Sequence, residues 1–508
     1  VRTFGSVGIV QKASVSLTIV SYMGVIIGYV NKMLLFPHLL TTSEVGLANT
    51  LVSTAAIFAQ FSALGMTGVT LRFFPFFKDE KRSHHGFLFW VTVIVTSGAL
   101  LVSVLFLLFE SKFSLLFGKN APILVEYYYY LIPLGLASLF FQVYDSYLRS
   151  LLKTVVPSFL NEVYLRLAVT LTITAYALNW VDFKGFVNLY VGANCSIAVL
   201  VILYAMTIGQ FRILPKLTFR VKRLSKGIIR FGFFSILSST GNVLIASIDA
   251  LMVAALVTNG MHFNGIYTTV FFMTTLMLIP YRSVLKISGP LVAQHWKSGD
   301  MNAMGKLYKQ VTSVNTALGV FIFAGLWLCL DNIFAFMPDV YAEGKYVFLF
   351  ISIGRLFDMI TGLNGIITIT SRKYVYDLFF TLFLILLTVG SNYFFIKIIG
   401  MEMNGAAVAT MITLVAYNIL RLLFVWFMFR IHPFTSRIFG ILLVGLGIVG
   451  LVTFIPPLSW PVADIFVRGI IVTLLYWPLL IYARQVPEIS QALNKYLSKT
   501  RLKFRVPE

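Results

Sequence analysis

Among the charged residues in stretches otherwise apolar enough to lie in lipid, seven cations and five carboxylates are candidates for chemistry. The cations are Lys32, Arg72, Arg166, Arg282, Lys286, Arg355 and Arg421, and the carboxylates are Glu126, Asp145, Glu162, Asp249 and Asp358. A charge at the centre of a membrane helix costs roughly 2.5–3.5 kcal/mol on insertion scales, so such residues mark ligand or ion pathways by default. Arginine holds phosphate oxygens bidentately and lysine acts as a point charge, so these cations are candidate substrate-binding residues for an anionic ligand. Asp249 and Asp358 are candidate sites for a coupling proton or sodium ion. Each assignment has a structural alternative. Glu162 and Arg166 are spaced i,i+4 and Arg355 and Asp358 i,i+3, so each pair could neutralise itself. Arg72, Arg282 and Lys286 lie near the cytoplasmic ends of their segments and Lys32 near an outer end, where long side chains snorkel to headgroups. Asp249 has no local cation and could instead make an interhelical hydrogen bond.

Catalytic and metal chemistry find little support. Cys195 and Cys329 both sit in apolar stretches and make neither a disulfide framework nor a metal cluster. The six histidines form no H-E-x-x-H pattern, and His84-His85 reads as a loop pair. No G-x-x-x-x-G-K-[ST] or G-x-S-x-G sequence occurs. The reading is therefore of a non-enzyme, without metal or cofactor.

The elements that must carry the charges follow from composition. Of 508 residues 58% are apolar and only 12% charged, with mean hydropathy +0.88. That places the chain among all-α polytopic membrane proteins. Spans of about 20 apolar residues are expected near 13–36, 45–72, 87–109, 122–148, 159–179, 186–208, 230–257, 263–287, 310–330, 346–370, 376–398, 404–429, 438–456 and 464–483, about fourteen helices in all. The first reads as a retained helix, since no small-residue cleavage site follows a short apolar region. Between the sixth and seventh lies GQFRILPKLTFRVKRLSKGIIR, with seven cations and no acid. Nucleic-acid binding is the other reading of such a run, but the flanking segments need lipid. With the N-terminus inside, 27 Lys and Arg fall in cytoplasmic segments and five outside, namely Lys112, Lys119, Lys184, Lys345 and Lys397. Basic loops stay cytoplasmic, so both termini are expected inside. The domains expected are an N-terminal lobe (1–208), a basic cytoplasmic linker (209–229), a C-terminal lobe (230–430), two additional helices (431–484) and a basic tail (485–508). The two additional helices carry few polar groups and read as lipid-facing additions.

Six spans precede the linker, so the second half starts from the same side as the first and a parallel pseudo-repeat is permitted. Asn31 followed by Gly46-Leu47-Ala48-Asn49-Thr50 corresponds to Asp249 followed by Gly265-Ile266-Tyr267-Thr268-Thr269. Arg72…Pro75 and Lys286…Pro290 close the corresponding spans. Small residues at Gly405-Ala406-Ala407-Val408-Ala409-Thr410 permit close helix approach. With these hairpins and the linker, residues 5–430 resemble the polysaccharide flippases of the multidrug/oligosaccharidyl-lipid/polysaccharide exporter superfamily.

The resemblance implies two six-helix lobes around a central cavity that opens to each side in turn. It implies transfer of a polyprenyl-diphosphate-linked oligosaccharide from the cytoplasmic to the outer leaflet of a bacterial inner membrane. Cations at Lys32, Arg72, Arg166, Arg282, Lys286, Arg355 and Arg421 would bind the headgroup. Membrane lipids, a polysaccharide polymerase and glycosyltransferases are expected partners, and nucleic acid is not. A cation-coupled multidrug exporter of the same fold is the alternative, although its cavity should be richer in carboxylates. A membrane glycosyltransferase or polymerase would need larger outer loops.

Overall fold

The computed structural model describes residues 3–79, 82–209, 211, 219–491 and 494. The centre of the basic linker (212–218) and the tail from 495 lie outside the described residues. All regular structure among the described residues is helical. The longer helices are α1 (Thr3–Tyr29), α2 (Thr42–Ser62), α3 (Met66–Phe77), α4 (Phe87–Leu108), α5 (Leu131–Ser150), α6 (Leu165–Ala177), α7 (Phe183–Thr207) and α8 (Phe219–Leu256). They continue with α9 (Gly260–Thr274), α10 (Leu278–Ser298), α11 (Met301–Leu328), α12 (Lys345–Thr361), α13 (Asn364–Thr370), α14 (Tyr376–Asn392), α15 (Glu402–Phe429), α16 (Ser436–Thr453) and α17 (Pro461–Tyr482).

Eleven helical spans among the described residues are long and apolar enough to cross a membrane. There are twelve if Asp339–Thr361 and Asn364–Thr370, bent by 53°, count as one. Two of the fourteen expected spans are not among them. The region 159–179 is helical but interrupted, because the π-helical turn Leu160–Tyr164 and the charges of Glu162 and Arg166 break its apolar run. The region 230–257 lies in α8, where side chains are described only in part. The surface confirms the lipid setting: Leu171 is 71%, Leu386 74% and Leu443 69% exposed. Large aliphatic groups held outward at such levels over many helices have a compatible solvent only in hydrocarbon.

Helix ends follow local chemistry. Thr41 and Glu44 form a capping box at α2, in which Glu44 Oε2 accepts from the Thr41 backbone N–H at 2.8 Å. Asp182 and Asp300 cap α7 and α11 through the backbone N–H groups of Gly185 and Ala303. Gly65, at φ +73°, turns the chain between α2 and α3.

The chain divides into two compact units, Val1–Gly265 and Ile266–Glu508. In the first, α2 packs against α5 and α8, and α5 against α7. Here α8, which begins within the expected linker, packs on α2 and α3. In the second, α12 packs on α15, which also carries α14, and α11 packs on α16. Gly354 allows the α12–α15 approach, since a Cβ there would lie 3.1 Å from the Met411 Cα. The α16–α17 hairpin is less purely lipid-facing than its sequence implies. Asp464 and Arg468 form a buried ion pair within α17, with Nε 2.6 Å from Oδ2.

Candidate functional site

In the first unit, α1 runs into a π-helical segment, Val30–Leu35, and packs against the π-helical turn Leu160–Tyr164. Single π turns inside helices recur at functional sites because they re-aim side chains. Two glycines make the crossing possible. A Cβ at Gly24 would lie 2.7 Å from the Glu162 carbonyl oxygen, and one at Gly28 would lie 2.9 Å from Arg166 Nη1. Their G-x-x-x-G spacing is the signal that would have located this crossing in the sequence.

At the crossing, Asn31 Nδ2 donates to the Arg166 backbone carbonyl at 2.8 Å, and Thr170 Oγ1 donates to Asn31 Oδ1 at 2.8 Å. Arg166 Nη2 pairs with Glu162 Oε2 at 2.7 Å, as the i,i+4 spacing allows. Lys32 donates to Asn49 Oδ1, and its ammonium lies 5.3 Å from the centroid of Phe36. It is also within Coulombic reach of Arg166. Two cations therefore share this site with one paired carboxylate, and the excess positive charge suits an anion. Asp249 is buried elsewhere in the same unit. Arg72 is exposed, its guanidinium 4.4 Å from the Phe231 ring and 5.9 Å from Phe73.

In the second unit, the cations gather at the break between α12 and α13. Arg355 is 8% exposed, with its guanidinium 4.7 Å from the Phe271 centroid. Arg421 pairs with Asp377 of α14 and lies 4.3 Å over the Tyr417 ring. Asp358 makes a side-chain hydrogen bond with Asn418 and lies within Coulombic reach of Arg421 and Arg355. Asn418 Oδ1 accepts from Thr361 at 3.0 Å and from Asn364 at 3.2 Å, tying the two sides of the break together. Tyr281 donates to the Gly362 carbonyl at 3.3 Å. Arg282 and Lys286 stand one turn apart on the exposed side of α10.

The structure thus brings Lys32 together with Arg166, and Arg355 with Asp358 and Arg421. It leaves Arg72, Arg282 and Lys286 on exposed faces. Asp377 escaped the sequence reading because its cation is 44 residues away. Asn49 was visible only as part of a repeat marker, and Thr170, Tyr281 and Asn418 escaped the sequence reading because neutral polar residues carry no charge signal. Gly362 adopts φ +61° and ψ −110°, and a Cβ there would lie 2.5 Å from Thr312 Oγ1. Gly362→Ala should therefore cost about 1–3 kcal/mol from backbone strain, read as a lowered unfolding temperature in detergent.

No family model and no curated protein matches the sequence. Solved structures do. The chain is similar to the lipid II flippase MurJ in an inward closed conformation, with TM-score 0.69 and 12% identity over 93% of this chain and 99% of that one. It is similar to an inward-facing multidrug resistance MATE family transporter of the MOP superfamily, with TM-score 0.61 and 14% identity over 84% and 98%. A third is a MOP superfamily transporter from Pyrococcus furiosus, with TM-score 0.56 and 13% identity over 83% and 96%. The binding pocket of that transporter has a reverse polarity that suggests a different function for it. These neighbours are transporters, and the chain shares their fold, with eleven described helical spans long and apolar enough to cross a membrane.

Proposed function

We propose that the chain flips a polyprenyl-diphosphate-linked oligosaccharide from the cytoplasmic to the outer leaflet of a bacterial inner membrane. The observation that carries this reading is the Lys32–Arg166 site, where two cations within the membrane share a single paired carboxylate. Placing them there costs roughly 2.5–3.5 kcal/mol each on insertion scales, and an anionic headgroup would offset that cost. Arg355 and Arg421 would form a separate anion contact in the second unit. Arg72, Arg282 and Lys286 would attract the headgroup at the cytoplasmic surface. Asp249 and Asp358 would carry the coupling ion. An inside-negative potential favours outward movement of anionic charge by about 2.3 kcal/mol per charge per 100 mV. The sidedness of Lys and Arg supports cytoplasmic termini. A polymerase and glycosyltransferases would work on either side of the transfer step.

The test is leaflet translocation of a fluorescent polyprenyl-diphosphate oligosaccharide in proteoliposomes. Lys32→Ala and the charge-neutral pair Glu162→Gln/Arg166→Gln should each slow translocation about 10–100-fold, the loss of one charged hydrogen bond or more. The double variant avoids leaving a carboxylate unpaired. Parental rates in both variants would remove this site from the mechanism. A folded parent that moves no such lipid under an ion gradient, yet exports cationic drugs, would establish the exporter reading instead.

A further inference from the structure

In the second unit, Tyr308, Thr312 and Asn315 occupy one face of α11 at spacing i, i+4, i+7. All three are fully buried, at 0% exposure. Yet Tyr308 Oη, Thr312 Oγ1 and both amide atoms of Asn315 have no protein hydrogen-bond partner. Thr316, next on the helix, behaves as a buried threonine ordinarily does, donating to the Thr312 carbonyl at 2.7 Å. An unsatisfied buried polar atom costs about 1–3 kcal/mol. Four along one helix face mark a place that holds water or a small polar ligand.

This face leads to the break beside Asp358. Thr312 Oγ1 occupies the space that a Cβ on Gly362 would need, 2.5 Å away. Tyr281, bonded to the Gly362 carbonyl, is within electrostatic reach of Tyr308, Asp358, Arg421 and Tyr417. Titratable and charged groups around the path include Tyr281, Tyr308, Tyr417, Asp358, Arg355, Arg421 and its partner Asp377, with Lys306 and Lys309 on α11 beside Tyr308 and Arg282 and Lys286 on the packed α10. Tyr308 stands seven residues after the start of α11, and Asn315 stands a further two turns along it. With 288–309 cytoplasmic, the polar face runs from the inner surface towards the middle of the membrane.

We propose that Tyr308, Thr312 and Asn315 line a narrow hydrated path through which water and protons reach Asp358 from the cytoplasmic side. The carboxylate takes a proton from the last water of the chain, and that water is reprotonated by the next, back to the cytoplasm. Beyond Thr316, α11 is apolar, and Ala317 and Val320 pack with Ile441 and Tyr476 in one buried hydrophobic cluster that leaves the polar face as the route. The inference deepens the proposed function, because it rests on Asp358 being a coupling carboxylate.

Single cysteines test the path in a chain carrying Cys195→Ser and Cys329→Ser. Thr312→Cys and Asn315→Cys should react with silver ion added from the cytoplasmic side at least about 10-fold faster than Val320→Cys, a difference of about 1.4 kcal/mol in access. Protection against maleimide after unfolding provides the readout. Rates equal to that of Val320→Cys overturn the path. Asn315→Leu gives a second measurement that needs no cysteine. On a hydrated path it slows translocation and flattens its dependence on cytoplasmic pH. Parental translocation with parental pH dependence in folded Asn315→Leu overturns the role. Silver access is read without substrate. Failed labelling with intact translocation removes the path alone, whereas failed translocation with labelling intact removes the flippase reading alone.

Discussion

Asp464→Leu is expected to destabilise the second unit by about 3–5 kcal/mol, the cost of leaving one member of a buried ion pair uncompensated. The Asp464 and Arg468 side chains are 2% and 9% exposed. Each of the three guanidinium nitrogens of Arg468 makes a local hydrogen bond. Nε reaches Asp464 at 2.6 Å, Nη1 the Val452 carbonyl at 3.3 Å and Nη2 the Ile455 carbonyl at 2.9 Å. Asp464 accepts in turn from Asn332 Nδ2 at 2.5 Å and from the Leu458 backbone N–H at 3.1 Å. The cluster closes the connection between α16 and α17 and ties it to Asn332. Removing the carboxylate alone strands a guanidinium in a low-dielectric site. The double variant Asp464→Leu/Arg468→Leu removes both charges and should recover most of the loss. The remaining deficit is about 1 kcal/mol for each carbonyl that loses its donor. Unfolding in detergent, followed by helical circular dichroism, measures both. A double variant as unstable as Asp464→Leu alone would show that the shape of the hairpin, not charge pairing, determines its stability.

Gly265→Ala should be the next most damaging change relative to its size. The added methyl would stand 1.9 Å from the Thr42 carbonyl oxygen, which belongs to the backbone and cannot swing aside. Gly46 faces the same contact from the other helix, with a Cβ position 2.3 Å from the Met261 carbonyl oxygen. Around this crossing, Asn264 Nδ2 donates to Thr50 Oγ1 at 2.6 Å, and Thr42 Oγ1 bonds His262 Nδ1 at 2.6 Å. Overpacking costs about 1–3 kcal/mol, whereas alanine gains about 1 kcal/mol over glycine in a helix. The clash should win at Gly265. It should lose at Gly192 in α7, where nothing lies within 4 Å of the added Cβ. Gly192→Ala is expected to raise the unfolding temperature and Gly265→Ala to lower it. Equal shifts of the same sign would mean that intrinsic helix preference, not close packing, governs both positions.

The two crossings illustrate how far one-dimensional patterns reach. Gly46 and Gly265 were visible as repeat markers, and their counterpart positions suggested a shared role. That their backbones meet follows only from the packing of α2 against the first two turns of α9. Gly24 and Gly28 carry a recognisable spacing, but the spacing names no partner, and the partner proved to be the π-helical turn bearing Glu162.

The sequence by itself determined the membrane class, most of the spans, the all-helical fold and the intramembrane cations. Hydropathy, charge and sidedness are sums over neighbouring residues, so no distant contact is needed to evaluate them. Even the Glu162–Arg166 pair was within reach, because four residues make one helical turn. Tertiary structure alone decided the rest. Asn31 meets the Arg166 carbonyl across 135 residues, and Asp377 neutralises Arg421 across 44. The bend at Gly362 and the unsatisfied face of Asn315 likewise arise from how helices stack. In hydrocarbon every polar group must find its partner within the protein, and for an isolated helix that partner lies on another segment, which no local pattern specifies.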